Sequence, residues 1–258
     1  MQVSDFAQPF SAEGGRVGVL FCHGFTGSPW SLLEWAKVTA GAGYRVSLPR
    51  LPGHGTTWQE LNVTDWRDWY GAAEHAFLEL RANCDTVFIA GLSMGCALAL
   101  RLAEKYPDQV AGLALVNPAV LGFPKMRALP VLHRLRASAR SIGSDIAEPG
   151  VLEQAYARTP LRAANSMMRM WVDVRACLDL VSCPLLVFRS ATDHVVPAAS
   201  TAFVLSHVSS DVITERILER SYHVATMDRD KEQIFTESLQ FFAEHSGTSG
   251  SPDAAPQP

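Results

Sequence analysis

The chain has 258 residues, 48% of them apolar and 19% charged, which suits a single large folded domain and excludes a disordered chain. A formal net charge of −4 gives no overall basic character, so nucleic acid is not an expected partner. The five cysteines, Cys22, Cys84, Cys96, Cys177 and Cys183, are odd in number and form no C-x-x-C pair, which argues for reduced thiols rather than a disulfide framework or a zinc site.

Residues Met1 to Phe6 lack the basic and apolar regions of a signal peptide. No apolar run approaches the ~18 residues that span a bilayer. The expected location is therefore cytoplasmic. From residue 17 onward, short apolar runs alternate with helix-like stretches. Val17–Cys22 is continuous rather than alternating, as in a strand covered on both faces. A helical pattern follows at 29–42, then a strand at 44–48 and a helix at 65–81. The strand 86–90 leads into a helix at 94–106, and 112–116 is another strand. After a long interval come strand 184–188, helix 198–207, strand 212–217 and helix 230–245, and all of these strand runs are read like Val17–Cys22, as strands covered on both faces. Strands alternating with helices predict a parallel sheet wrapped on both faces.

The interval is informative. About sixty residues, 119–182, separate two strands that a simple crossover would join with far fewer, which predicts an inserted helical cap between a first core part (1–118) and a second (183–245). This segment holds nine Lys/Arg and five Asp/Glu, a net +4, leaving −8 for the rest. Two readings of that charge stay open: a solvated basic face, or weak docking of the cap on an anionic membrane surface. Met126, Leu129, Leu132 and Leu135 read as an amphipathic stripe, expected to pack inward. Residues 246–258 are small, polar and Pro-rich, and are expected to be disordered.

The strand 86–90 runs into Gly91-Leu92-Ser93-Met94-Gly95, a G-x-S-x-G pentapeptide between strand and helix. A turn sharp enough to expose the Ser93 hydroxyl leaves no room for side chains two residues either side, hence glycine at both. The following helix aims its N-terminal amides at Ser93. The bare pentapeptide is weak evidence. Its place between strand and helix makes Ser93 the candidate nucleophile.

Serine needs a base, and the base a carboxylate that fixes its tautomer. In this architecture both follow the nucleophile in the chain, on loops at the carboxyl ends of later strands. Asp193 and His223 occupy those positions. His194 adjoins the acid and cannot easily face it. His23 is read as a structural or oxyanion-loop residue, His54 as loop scaffolding, and His75, His133, His207 and His245 as surface residues of helices. For the oxyanion, the Met94 amide is one candidate donor. The Phe25 amide is the other, in His23-Gly-Phe-Thr-Gly27 after the first parallel strand.

With these residues assembled, the chain resembles the α/β-hydrolase family from about Phe10 to Ala243, and within it the bacterial monoacylglycerol lipases and small carboxylesterases. The resemblance rests on HGFTG at 23–27, LPRLPGHG at 48–55, GLSMG at 91–95, SIGSD at 141–145, DHVVP at 193–197 and SYHVATMD at 221–228. It departs at Cys96, where a third glycine is common, and over 122–140. The resemblance implies a mostly parallel twisted sheet, no cofactor or metal, and a serine esterase acting on monoacylglycerols and short-to-medium acyl esters. It also places Ile142 and Glu153 where the cap meets the alcohol portion of such a substrate. Thioester or carbon–carbon hydrolysis, perhydrolysis and a non-catalytic receptor stay open as alternatives. Haloalkane dehalogenases and epoxide hydrolases carry Asp where this chain has Ser93.

Overall fold

In the computed structural model, which describes residues 3–247, a seven-stranded sheet is sandwiched between two helical layers. A short edge strand β1 (Phe10–Ala12) precedes β2 (Val17–Cys22), α1 (Leu33–Gly41) and β3 (Arg45–Leu48). After them come α2 (Trp58–Leu61), α3 (Trp66–Asn83), β4 (Thr86–Leu92), α4 (Met94–Lys105) and β5 (Gly112–Val116). The strand order is β1-β3-β2-β4-β5, continued below by two more strands, and only β1 runs antiparallel to its neighbour. Sequence patterning missed β1, because three residues are too few to show a period.

Side-chain alternation along the strands builds two cores. Val87 and Ile89 of β4 point to one face, where Trp69, Ala73 and Phe77 of α3 and Ala97 of α4 cover them. Phe88, Ala90 and Leu92 point to the other, against Trp35 of α1. Nearly all of these side chains are out of contact with solvent, and burying each of the larger aliphatic and Phe side chains contributes roughly 1.5–3 kcal/mol. Local signals agree with the packing. The Asp65 carboxylate accepts the Arg67 amide at 2.7 Å, and Asp68 returns a bond to the Asp65 amide at 2.8 Å. This reciprocal cap starts α3.

Residues 119–182 contain a 3-10 turn at Pro124–Ala128, α5 (Leu129–Leu135), β6 (Ser138–Arg140), β7 (Arg158–Pro160) and α6 (Leu161–Arg175). β6 and β7 form a separate two-stranded antiparallel sheet, so the segment is not purely helical. The chain then adds β8 (Leu185–Ser190), α7 (Ala198–His207), β9 (Ile213–Leu218) and α8 (Lys231–His245), with β8 beside β5 and β9 at the far edge. α8 joins α1 on one face through Ile234, Phe235 and Phe242. α6 joins α3 and α4 on the other through Met170, Trp171 and Val174.

Three expectations need correction. β9 is not a strand covered on both faces. It is an edge strand, and Ile213, Glu215, Arg216 and Ile217 are exposed. Leu135 does not complete an inward stripe. Leu129 is buried, but Leu135 is 76% exposed, because three-residue steps drift about 60° each on a 100° helix. Of the tail 246–258, residues 248–258 lie outside the described residues. Ser246, however, is buried, and its carbonyl accepts from the Thr86 hydroxyl at 3.4 Å.

Candidate active site

The carboxyl ends of β2, β4, β5, β8 and β9 converge on one rim of the sheet, the usual location of ligands in open α/β sheets. Each of the five is followed by a residue of interest: His23, Ser93, Asn117, Asp193 and His223.

Ser93 joins β4 directly to α4 with φ +56° and ψ −116°. Such a conformation costs a non-glycine residue about 1–3 kcal/mol and persists only where the surroundings impose it. Here they do. The Ser93 amide is held by the Val116 carbonyl at 2.9 Å. A methyl group on Gly95 would lie 1.8 Å from the Cys22 carbonyl oxygen, and one on Gly91 within 2.8 Å of the Gly95 backbone. The two glycines let α4 press against β2 while the serine is pushed up between them. Cys96, the departure noted above, sits in the core, its thiol donating to the Gly91 and Val116 carbonyls at 3.2 Å each.

The His223 imidazole is nearly buried, with Nδ1 2.7 Å from Oδ2 of Asp193. The other Asp193 oxygen accepts the amides of Val195 and Val196 at 2.8 and 2.7 Å. Burial alone would raise the Asp193 carboxyl. The His223 bond and charge together with the two amides outweigh it and hold the group below its ordinary value. A carboxylate on Nδ1 fixes the tautomer that leaves Nε2 as the acceptor. His223 and Ser93 line the same cavity, while Asp193 lies behind the imidazole, outside that lining.

Beside Ser93, the loop 23–27 turns through Thr26 at φ +63°. A methyl group added at Gly24 would lie 3.6 Å from the Ser93 Cβ, so this backbone runs against the serine. Met94 opens α4, and its amide has no acceptor within the helix. His23 is fully buried. Its Nε2 accepts the Leu51 amide at 3.2 Å and its Nδ1 faces the Gly24 carbonyl at 3.0 Å. Burial pulls its pKa down to about 4, so it holds the loop as a neutral ring. His54 packs edge-on against His23, Phe25 and Trp69. The remaining histidines lie outside the cavity: His75 pairs with Glu79, His207 stacks on Phe203, and His133 and His245 are half-buried rather than fully on the surface.

The cavity has a volume of about 340 Å³, within the range of small-molecule sites. Its walls are largely apolar, with Phe25, Met126, Leu129, Met167 and Trp171 among them. Both residues singled out for the alcohol side line it. Ile142 is 62% exposed at its edge. Glu153 lies in irregular backbone rather than on a helix, with one carboxylate oxygen 2.7 Å from where a Gly27 methyl group would be. Burial pushes its carboxyl up to about 7, against the opposing pull of His223.

Asn117 went unread in the sequence. At φ +48°, its Nδ2 donates to the His223 carbonyl at 2.8 Å and to the Ser190 hydroxyl at 3.0 Å, and its Oδ1 accepts the Ser190 amide at 2.8 Å. The available signal was Asn-Pro at a strand end, which favours a turn and tolerates positive φ. Among the described residues no cluster of His, Cys, Asp and Glu is arranged to hold a metal ion. Nor is any described helix long and apolar enough to cross a membrane.

A model of the family described as serine aminopeptidase, S33, matches residues 15–230. The chain is 43% identical over 242 residues to the thermostable monoacylglycerol lipase of Bacillus sp. (strain H-257), covering 93% of this chain and 96% of that one. It is 24% identical over 236 residues to a carboxylesterase of Bacillus subtilis (strain 168), covering 91% and 95%. A solved structure of one of the metagenome-derived lipolytic enzymes LipS and LipT superposes with a TM-score of 0.92 at 40% identity, covering 95% of this chain and all of that one. The monoacylglycerol lipase of Paleococcus ferrophilus shares the fold, with a TM-score of 0.75 at 17% identity over 92% of this chain and 99% of its own.

Proposed function

The chain belongs to the serine aminopeptidase S33 family of α/β-hydrolases and is a carboxylic ester hydrolase; from that premise we propose that it cleaves monoacylglycerols and short-to-medium acyl esters through an acyl-enzyme at Ser93. The observation that carries this reading is one apolar cavity receiving both Ser93 and the imidazole of an Asp193-bound His223.

The Ser93 hydroxyl attacks the ester carbonyl while His223 Nε2 takes its proton. Asp193 stabilises the imidazolium so formed. Charge growing on the carbonyl oxygen is met by the Phe25 and Met94 amides, each donor contributing about 10²–10³ in rate. Collapse breaks the bond to the alkoxy group, and His223 returns the proton to the departing alcohol. Water, activated by the same imidazole, then releases the fatty acid.

The apolar walls suit an acyl chain. Glu153 suits glycerol hydroxyls better than an ammonium group, since a carboxyl titrating near 7 is not a fixed anion at neutral pH. Residues 119–182 act as the cap in this reading, supported by Met126, Ile142 and Glu153 lining the cavity. Weak docking of that cap on an anionic membrane belongs to the same proposal. It is supported by exposed Val131 and Leu135 among exposed Arg127, Arg134 and Arg136. The cytoplasmic location also stays a proposal, in keeping with free thiols at all five cysteines.

Hydrolysis of a monoacylglycerol series and of simple alkyl esters by native protein and by Ser93→Ala tests the reading. Ser93→Ala is expected to lose activity on both substrate sets. Equal turnover by the two proteins would remove Ser93 from the mechanism.

A further inference from the structure

Asp145 stands where the chain descending from β6 meets the two loops that carry Asp193 and His223. Its carboxylate is about nine-tenths buried, and each group that donates to it comes from one of those loops. Oδ2 accepts the backbone amides of His194 and His223, both at 3.2 Å. Oδ1 lies 2.8 Å from Nδ1 of His194. The Asp145 carbonyl takes a fourth bond, from the Val224 amide at 3.1 Å. Since His194 directly follows Asp193, one side chain joins the backbone next to the acid to the backbone of the base.

The same stretch of chain walls the cavity. Arg140, Ser141, Ile142 and Gly143 line it just upstream of Asp145, and the Ser144 hydroxyl holds the Glu153 amide at 3.0 Å. Cavity wall and acid–base pair therefore share a fixed point. Asp145 itself lines the cavity, yet no hydrogen bond joins it to Ser93 or to the loop 23–27, and the acyl-enzyme mechanism assigns it no proton.

We propose that Asp145 is a positioning residue: it sets the alignment of the Asp193–His223 pair and registers that pair against the wall on which the substrate lies. The proposal rests on the reading of Ser93, His223 and Asp193 as the reacting set. Three donors satisfied by one carboxylate form the charge-assisted kind of bond, the stronger class. Their loss frees two loops to relax independently. Misplacement of a catalytic group by about 1 Å costs on the order of 10² in rate, and it does so in turnover, because a short substrate touches little of the displaced wall.

Steady-state kinetics on a short chromogenic ester test this for Asp145→Ala, Asp145→Asn and His194→Ala, with native protein and Ser93→Ala alongside. A serine-directed phosphonate counts active sites, and melting temperature is measured for each variant. Asp145→Ala is expected to lose about 100-fold in kcat per titrated site, with KM changed by less than about threefold. Asp145→Asn, whose one carbonyl oxygen can still accept both amides, falls between it and native. His194→Ala keeps both backbone bonds and stays within about threefold of native. A kcat for Asp145→Ala within about fivefold of native, or a loss carried mainly by KM, overturns the proposal. If Asp145→Ala does not fold, Asp145→Asn decides: a kcat loss above about fivefold at native melting temperature supports the role, and a smaller one overturns it. Full activity in Ser93→Ala would instead strike the underlying reading, whatever Asp145 does.

Discussion

Asp193 and Glu153 are two carboxyls that both feel the charge of His223, and their surroundings push them in opposite directions. Asp193 is held below its ordinary 3.8 despite burial. Its contribution to stability is thus present above that ordinary value and disappears as pH falls through the lower folded one. Glu153 rises from 4.5 to about 7, so the folded state holds a proton that the unfolded chain releases, and stability declines as pH climbs from 4.5 to about 7. Replacing Glu153 by Gln removes that decline. The melting temperature of Glu153→Gln minus that of native is expected to be larger at pH 8 than at pH 4.5, and an equal difference at both would contradict the raised carboxyl. On turnover, Asp193→Asn keeps the shape but offers His223 the wrong tautomer, for an expected loss of about 10⁴ in kcat. The proposed set of Ser93, Asp193 and His223 could be read in the sequence because residue type, chain order and strand-end placement are all written there. Asn117 and Asp145 could not, since their bonds to His223 span 106 and 78 positions of chain and neither residue type announces such a partner.

At the level of elements, the strand–helix junction at Ser93 depends on space as much as on hydrogen bonds. Gly95→Ala drives a methyl group into the Cys22 carbonyl and is expected to destabilise by at least the ~1–3 kcal/mol typical of an overpacked core. Any folded fraction turns over slowly, because the Met94 amide moves with α4. Chemical denaturation and kinetics on the same preparation read both effects. A second junction lies behind His223. The buried Asp228 carboxylate accepts the amides of Ala147, Glu148, Tyr222 and Arg229 at 2.7 to 3.0 Å. Asp228→Ala orphans all four and should lower unfolding free energy by at least ~3 kcal/mol, measured by urea titration; a loss under ~1 kcal/mol would mean water replaces the carboxylate freely. Most strands and helices were readable in the sequence, for instance Val17–Cys22 and 198–207, whose bounds match the structure. β9 and Leu135 were misread for one reason. An apolar residue records what it could bury, whereas its neighbours decide whether anything covers it.

For the molecule as a whole, charge is divided unevenly, with +4 on residues 119–182 and −8 elsewhere. An anionic bilayer would attract the first and repel the second, which orients the cavity edge at Ile142 toward lipid. Co-sedimentation with vesicles is expected to require anionic lipid, to weaken as salt shortens the Debye length from about 10 Å at 0.1 M, and to drop for Val131→Ser with Leu135→Ser. Binding to neutral vesicles as strong as to anionic ones would leave no role for the arginines. The paired layers around the sheet followed from the alternation of runs along the chain. That α6 packs into the main core did not, because length and position mark residues 119–182 only as an excursion.

Met167 and Trp171 face the cavity with one side and the interior beneath the sheet's helical layer with the other. An engineer seeking a new fatty-acid preference by grafting a relative's excursion therefore has a natural cut near Pro160. Exchanging residues 119–160 leaves α6 in place, provided the graft keeps Asp145 and the core residues Ala119 and Val120. A graft extended to residue 182 transplants part of the foundation too, and the host must be rebuilt around it.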